Sequence, residues 1–221
     1  RRFIESLENC KVIVPYGVGV DNIDLEAAKE RGIYVANVGD YGTETVAEHT
    51  VALMFAVARR IAGRDAAVRE GAWDIGAAEP LYSFVGKILG VAGCGKIGRA
   101  FIKKASSLGF SRILCYDPYV SEIEGSEMTD LDTLLSSSDV ISLHMPLTPE
   151  TKHLINDESI EKMKRNVILV NTSRGGLIHE ESLANALKAN RIFGAGIDVY
   201  ESEPPSRNNP LFKLKNVTVS D

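Results

Sequence analysis

The chain has 221 residues, of which 44% are hydrophobic and 25% are charged, and its formal net charge at pH 7 is −5. This composition is typical of a globular protein that is long enough for one large domain, or for one domain and part of another. The acidic balance and the lack of a basic block favour neither a nucleic-acid partner nor a membrane surface, so we expect neither.

The first elements in chain order form a short α/β segment. The pattern predicts a strand over Lys11–Val14, a helix over Leu25–Glu30 and a second strand over Tyr34–Ala36. The segment is too short to fold as a domain by itself.

A long helix is predicted next, over Thr43–Ile61, with Thr43 as its N-cap and Glu44 in its first turn. Its centre, Val51 to Ala58, is apolar on every face, and such a helix must be covered on every face. A neighbouring domain can cover only one side. We therefore predict a homodimer in which this helix and the segment around Trp73 lie near the two-fold axis.

Strands and helices alternate from residue 88 onward. Strands are predicted at Ile88–Ala92, Arg112–Tyr116, Val140–Leu143, Val167–Val170, Gly194–Ile197 and Val217–Val219, and helices at Ile97–Leu108, Leu131–Ser136, Glu158–Met163 and Glu180–Ala189. Short apolar strands without alternation are typical of a parallel sheet covered on both faces. The order predicts an α/β domain with a doubly wound parallel sheet.

The connection after the first of these strands carries the sequence Gly93-x-Gly95-x-x-Gly98. In a dinucleotide-binding loop the first glycine makes a tight turn, the second lets the backbone approach a pyrophosphate, and the third lets the helix pack closely. The backbone N–H groups of Lys96 and Ile97, at the start of the helix, can bind phosphate. These residues predict a Rossmann-type dinucleotide site.

The strand that follows the helix ends at Asp117, 19 residues after Gly98. An acidic residue at about this offset binds the ribose hydroxyls of NAD and repels the 2′-phosphate of NADP. The cofactor is therefore predicted to be NAD. The competing interpretation is an ordinary glycine turn, with Asp117 opening a turn before Pro118.

Three cysteines, Cys10, Cys94 and Cys115, are scattered along the chain. Their spacing matches neither a metal site nor a disulfide framework, and this is usual in a reducing compartment. No apolar segment of a secretory signal follows Arg1 and Arg2. We predict a cytoplasmic protein without a bound metal.

Five longer motifs, together with the glycine loop, span nearly the whole chain. They are YGVGVDNIDLEAA (residues 16–28), TVAEHTVALM (45–54), LHMPLTPETKHLI (143–155), VNTSRGGLI (170–178) and GIDVYESEPP (196–205). In this order, together with the glycine loop, they resemble the D-isomer-specific 2-hydroxyacid dehydrogenases, a family that includes phosphoglycerate dehydrogenases. The resemblance implies hydride transfer between NAD(H) and a D-2-hydroxyacid or 2-keto acid.

The same resemblance implies a subunit of two domains. Residues 1–42 would be the back half of a flavodoxin-like substrate domain, and residues 43–221 would be the NAD-binding domain. The family carries more chain at both ends. The chain is therefore expected to be truncated.

Two catalytic residues follow from the resemblance. Arg174, after a predicted strand, would bind the substrate carboxylate, and a guanidinium suits this role because it can donate two parallel hydrogen bonds. Glu203 would orient a histidine that acts as the general acid. That histidine is expected just beyond Asp221. We do not assign its role to His144, and we interpret His49 as a packed or interface residue.

The remaining site residues are also carried over from the family. On the cofactor side they are His144, Pro146, Thr151, Thr172 and Asp198, the last as an acceptor for the nicotinamide carboxamide. On the substrate side they are Val18 and Gly19, whose backbone N–H groups can hold a carboxylate. An alternative function on the same scaffold is a dinucleotide-sensing corepressor, because fold does not fix function.

Overall fold

A computed structural model describes residues 1–73 and 80–221. Trp73 is described, but the rest of the predicted interface segment that follows it, residues 74–79, lies outside the described residues. The chain divides into two compact units, Arg1–Thr45 and Val46–Asp221. This division lies three residues after the boundary predicted between residues 42 and 43.

The first unit is small and contains one parallel strand pair. Its elements are α1 (Arg2–Glu5), β1 (Val12–Ile13), α2 (Leu25–Glu30) and β2 (Tyr34–Val35). In the strand pair, Val12 lies opposite Tyr34. Asp24 caps α2 by accepting a hydrogen bond of 2.8 Å from the Ala27 N–H. The predicted helix has the observed bounds, whereas both strands are shorter than predicted.

The second unit contains most of the elements. Its strands are β3 (Ile88–Ala92), β4 (Arg112–Tyr116), β5 (Glu127–Met128), β6 (Val140–Leu143), β7 (Ile168–Asn171), β8 (Gly194–Ile197) and β9 (Val217–Val219). Its helices are α3 (Thr43–Arg59, which begins in the first unit), α4 (Ile61–Arg69), α5 (Lys96–Ala105), α6 (Leu131–Ser137), α7 (Asp157–Lys162) and α8 (Glu180–Lys188). Two 3-10 helices, Gly175–Leu177 and Pro210–Lys213, complete it.

The seven strands form one parallel sheet in the order β5-β4-β3-β6-β7-β8-β9. The predicted doubly wound sheet is thereby confirmed. The chain moves outward from β3 to β4 and β5, then returns to the other side of β3 at β6. This reversal opens a crevice at the carboxyl ends of β3 and β6, the usual place for a ligand in such sheets.

Helices cover both faces of the sheet, and a separate hydrophobic core lies on each face. Alternate strand residues point to opposite faces: Ile168 and Val170 belong to the core with α3 and α5, and Leu169 belongs to the core with α6, α7 and α8. Burial on both faces explains why the sequence of β7 is apolar without alternation.

Two glycines on β8 allow α3 to approach the sheet closely. A β-carbon at Gly194 would lie 2.8 Å from Val57 Cγ1, and one at Gly196 would lie 3.2 Å from Leu53 Cβ. Larger residues at these positions would push the helix away. The position of α3 on β8 is therefore set by the side chains of Leu53 and Val57, which lie directly on the strand backbone.

The long predicted helix is in fact two helices. Arg60 has a left-handed conformation (φ 52°) and separates α3 from α4. Thr43 is the first residue of α3, so the prediction that it is the N-cap was wrong. A single residue in this conformation gives no signal in an apolar pattern, so the sequence could not place the break.

Burial of the apolar centre of α3 is also one-sided within the chain. Leu53, Met54, Val57 and Ala58 are buried, whereas Ala52 is exposed and Phe55 is 37% exposed. The prediction that the whole circumference is covered thus holds for one face. α4 has no buried residue at all.

Candidate functional site

The candidate site lies at the edge of the large sheet where all seven parallel strands end. The connections that follow β3, β4, β6, β7 and β8 carry nearly all the residues predicted to bind a cofactor or to act in catalysis. Because these connections share one edge, residues far apart in sequence meet there.

The glycine loop between β3 and α5 has little space at two of its three glycines. Gly93 has a φ of +94°, and a β-carbon there would lie 2.5 Å from the His144 carbonyl group. A β-carbon at Gly98 would lie 2.2 Å from the Gly93 oxygen. Side chains at either position would collide with backbone, so both glycines are required by the loop itself.

Gly95 differs from the other two glycines because it faces open space. A β-carbon there would have no heavy atom within 4 Å, apart from its chain neighbours. Gly95 is the N-cap residue of α5, so Lys96 and Ile97 lie in the first turn of the helix, next to this open space. The loop fits the pyrophosphate of a dinucleotide, which needs close backbone approach and the start of a helix.

Asp117 lies beside this loop at the end of β4. Its Oδ2 accepts a hydrogen bond of 2.8 Å from the Cys94 N–H, and its Oδ1 accepts one of 2.8 Å from the Tyr119 N–H. Each carboxylate oxygen can accept a second hydrogen bond. The carboxylate is therefore held in place and can still accept the two hydroxyl groups of a ribose.

Cys94 fills space inside the loop. Its side chain is buried, and the hydrogen bond to Cys115, together with burial, raises the pKa of the Cys94 thiol. The same contact lowers the pKa of Cys115. Cys94 is therefore a neutral packing residue.

His144 lies directly behind the loop. Its Nε2 is 2.9 Å from Ser142 Oγ and its ring contacts Phe101, with 5.1 Å between ring centroids. Its Nδ1 is buried and has no hydrogen-bond partner among the described residues. Burial lowers the pKa of His144 to about 3. The imidazole is therefore neutral at physiological pH, and this supports leaving it out as a proton donor.

The connection after β6 is held by hydrogen bonds of its own residues. Thr151 Oγ1 donates to the Pro146 carbonyl at 2.7 Å and accepts from the Thr148 N–H at 2.8 Å. Pro146 and Thr151 are thus adjacent in space, next to the crevice between β3 and β6.

Arg174 is carried by a short connection that Asn171 organises. The buried Asn171 donates from Nδ2 to the Arg174 carbonyl (2.9 Å) and accepts from the Ser173 N–H (3.1 Å) at Oδ1. The half-buried Arg174 donates from Nη1 to the Ser173 carbonyl at 2.6 Å. Sequence reasoning missed Asn171, although a polar residue that ends a buried strand was a usable signal.

Tyr200 joins three parts of the site, and sequence reasoning missed it too. A β-carbon at Gly175 would lie 1.9 Å from the Tyr200 carbonyl carbon, so the Arg174 connection packs directly on the chain after β8. The Tyr200 Oη donates to the Ser220 carbonyl at 2.8 Å, and its N–H donates to Glu203 Oε1 at 3.1 Å. Glu203 is exposed and lies on the same connection.

Asp198 ends β8 and takes part in a polar cluster with α3. Its Oδ1 lies 2.9 Å from His49 Nε2 and accepts a hydrogen bond of 2.6 Å from Ser220 Oγ. The interpretation of His49 as a packed or interface residue stays a prediction, and the structure adds its contact with the end of β8, which an apolar pattern does not show. Thr172 has a different partner, since its hydroxyl lies 2.8 Å from that of Thr50.

Val18 and Gly19 belong to the first unit. They lie in the connection between β1 and α2, where the Val18 carbonyl accepts a hydrogen bond of 2.7 Å from Asn37 Nδ2. Val18 is 37% exposed.

Residues 1–73 and 80–221 contain neither a cluster of metal ligands nor a membrane-spanning helix. No group of three or more His, Cys, Asp or Glu side chains in these ranges is arranged to hold a metal ion. In the same part of the chain, no helix is both long and apolar enough to cross a bilayer.

Comparison with known proteins gives consistent matches. The family model described as "D-isomer specific 2-hydroxyacid dehydrogenase, NAD binding domain" matches residues 51–221. A D-3-phosphoglycerate dehydrogenase of Archaeoglobus fulgidus is 46% identical over 98% of this chain and 42% of its own length. A glyoxylate reductase of Thermococcus litoralis is 45% identical over 100% of this chain and 69% of its own length.

A solved structure shows the same fold. The D-lactate dehydrogenase of Aquifex aeolicus, complexed with NAD and lactic acid, has a TM-score of 0.90 and 33% identity over 99% of this chain and 71% of that one. The chain spans less than half the length of the phosphoglycerate dehydrogenase that it matches.

Proposed function

The chain belongs to the D-isomer-specific 2-hydroxyacid dehydrogenase family, with the NAD-binding domain at residues 51–221, and from this we propose that the protein interconverts a D-2-hydroxyacid and its 2-keto acid. The observation that carries the proposal is the junction at Tyr200. It brings the Arg174 connection, Glu203 and the chain end at Ser220 together at the sheet edge that also holds the glycine loop.

We assign the cofactor to the residues that line this edge. The loop glycines and the N–H groups of Lys96 and Ile97 would bind the pyrophosphate, and Asp117 would bind the adenosine ribose. Pro146 and Thr151 would line the adenosine side, and His144 would support the loop from behind. Thr172 and Asp198 would lie near the nicotinamide, which when bound supplies or accepts the hydride.

Arg174 and Glu203 are the proposed catalytic residues. A guanidinium at Arg174 would bind the substrate carboxylate in a fixed orientation, and its neighbour Asn171 holds the backbone that carries it. Glu203 would orient the imidazole of a general acid, expected after Asp221, and raise its pKa. Val18 and Gly19 of the first unit, which we propose to be part of the substrate domain, would bind the carboxylate through backbone N–H groups.

The proposal is tested by measuring NADH oxidation by the protein expressed from this gene with the sequence that flanks the chain. The substrates tested are glyoxylate, pyruvate, hydroxypyruvate and 3-phosphohydroxypyruvate. We expect turnover of at least one acid, and a loss of about 100-fold or more in kcat/KM for Arg174→Ala, because misplacing a substrate is this costly.

Arg165→Ala is the matched control. Arg165 is exposed and precedes the amino end of β7, whereas Arg174 follows its carboxyl end. Its replacement should leave kcat/KM unchanged. Wild-type protein that binds NADH but reduces none of the acids would contradict the proposed activity, and equal losses in both variants would contradict the role of Arg174.

We also propose that the protein is a cytoplasmic homodimer. The exposed face of α3 and the absence of any buried residue in α4 support a second copy as the cover. Cys10, Cys94 and Cys115 are free thiols, and this supports a reducing compartment.

A further inference from the structure

We propose that His49 is a positioning residue for the cofactor, which holds Asp198 so that one carboxylate oxygen stays free for the nicotinamide carboxamide. The inference rests on the proposed function and extends it to a residue on α3. His49 was not among the residues that the family motifs assigned to the site.

The two oxygens of Asp198 have different surroundings. Oδ1 receives hydrogen bonds from both His49 Nε2 (2.9 Å) and Ser220 Oγ (2.6 Å). Oδ2 has no hydrogen-bond partner among the described residues. A carboxylate with one oxygen satisfied by the protein can offer the other to a ligand donor, and a primary carboxamide provides such an N–H group.

The cluster also fixes the imidazole. A carboxylate only accepts hydrogen bonds, so His49 must carry a proton on Nε2. The same N–H lies 3.0 Å from Ser220 Oγ, whose own proton goes to Asp198. The side chains of His49 and Ser220 thus hydrogen-bond to each other and to Asp198, and together they fix the orientation of its carboxylate.

The packing of α3 on β8 fixes the position of His49. His49, Leu53 and Val57 are spaced four residues apart and so lie along one stripe of α3. Leu53 and Val57 pack on the backbone of Gly196 and Gly194, and His49 reaches the end of the same strand at Asp198. The contact of α3 with β8 therefore sets the position of the imidazole.

Equilibrium binding of NAD and of ADP-ribose to the 221-residue chain separates positioning from folding. ADP-ribose carries the adenosine and pyrophosphate groups but no nicotinamide. His49→Ala should weaken NAD binding about 3- to 10-fold, the order expected when the net contribution of one ordinary hydrogen bond is lost, and should leave ADP-ribose binding unchanged. His49→Gln, which keeps an N–H donor, should retain most of the wild-type affinity for NAD.

Glu48→Ala is the control on the same helix, since Glu48 pairs with Lys104 at 3.1 Å on the exposed side. It should change neither affinity. Unchanged NAD affinity in His49→Ala, or an equal loss for both ligands, would overturn the inference. Wild-type chain that binds neither ligand would instead overturn the proposed function, so the two failures are distinguishable.

Discussion

At the scale of single residues, the three loop glycines have separate physical roles. Gly98 is needed by the loop, because a β-carbon would meet the Gly93 oxygen at 2.2 Å, whereas the space beside Gly95 is open. The sequence motif predicts all three positions equally. Only the distances show that Gly93 and Gly98 are required by the fold, whereas Gly95 leaves the space that we propose for the ligand.

This difference gives a paired prediction. Gly98→Ala should lower the free energy of unfolding by about 1–3 kcal/mol, the usual cost of overpacking. Gly95→Ala should leave unfolding nearly unchanged but weaken NAD binding about tenfold, because the new methyl group fills the approach to the backbone. Urea unfolding and NAD titration of both variants measure the two effects, and a reversed pattern would refute the assignment.

His144 gives a prediction about pH. Its pKa is about 3 in the folded protein against an ordinary value of 6.5, so the unfolded chain binds a proton that the folded protein does not. The stability contributed by the neutral ring is fully present above pH 6.5 and is lost as the pH falls towards 3. Between pH 7 and pH 5 the loss from this residue is about 2 kcal/mol.

Urea unfolding at pH 7 and at pH 5 measures this loss of stability. His144→Gln should lack the contribution of the buried imidazole, so its free energy of unfolding should fall by about 2 kcal/mol less than that of the wild type between these pH values. The assignment is wrong if His144→Gln keeps the full pH dependence.

At the scale of elements, the strands were predicted better than the helix ends. β3, β4, β6, β8 and β9 have the bounds predicted from the sequence, because short buried strands are marked by apolar runs between turn residues. β5 was missed, since it has only two residues, lies at the sheet edge and carries no apolar run. The break at Arg60 was missed for the reason given above.

α4 carries the clearest prediction about assembly. It has no buried residue, Val68 is 49% exposed, and Trp73 just after the helix is 87% exposed. If a second copy covers this surface, Val68→Glu should convert a dimer into a monomer without unfolding the chain. Val85→Glu, at another exposed apolar residue (74%), is the control.

Sedimentation or light scattering at micromolar protein concentration measures the oligomeric state of the wild type and of both variants. A wild-type monomer would contradict the proposed dimer. A Val68→Glu dimer would place the interface elsewhere.

At the scale of the whole molecule, the sequence predicted which connections carry the proposed site but not how these connections contact one another. The family resemblance assigns Arg174, Asp198 and Glu203 to the site, and each follows a strand at the same edge of the sheet. The contacts of Tyr200 with Ser220 and of His49 with Asp198 join segments that are distant in sequence, and no local pattern encodes such contacts. The residues that hold the site were therefore found only in the structure.

The central claim is a site for NAD at the crevice between β3 and β6, with Asp117 selecting the cofactor. Calorimetric titration of the 221-residue chain with NAD and with NADP tests it most directly, beside Asp117→Ala. We expect NAD to bind at least about tenfold more tightly than NADP, because the carboxylate accepts both ribose hydroxyls and repels a 2′-phosphate. Asp117→Ala should weaken NAD binding and narrow that difference. Wild-type chain that binds NADP as tightly as NAD, or that binds neither, would contradict the account.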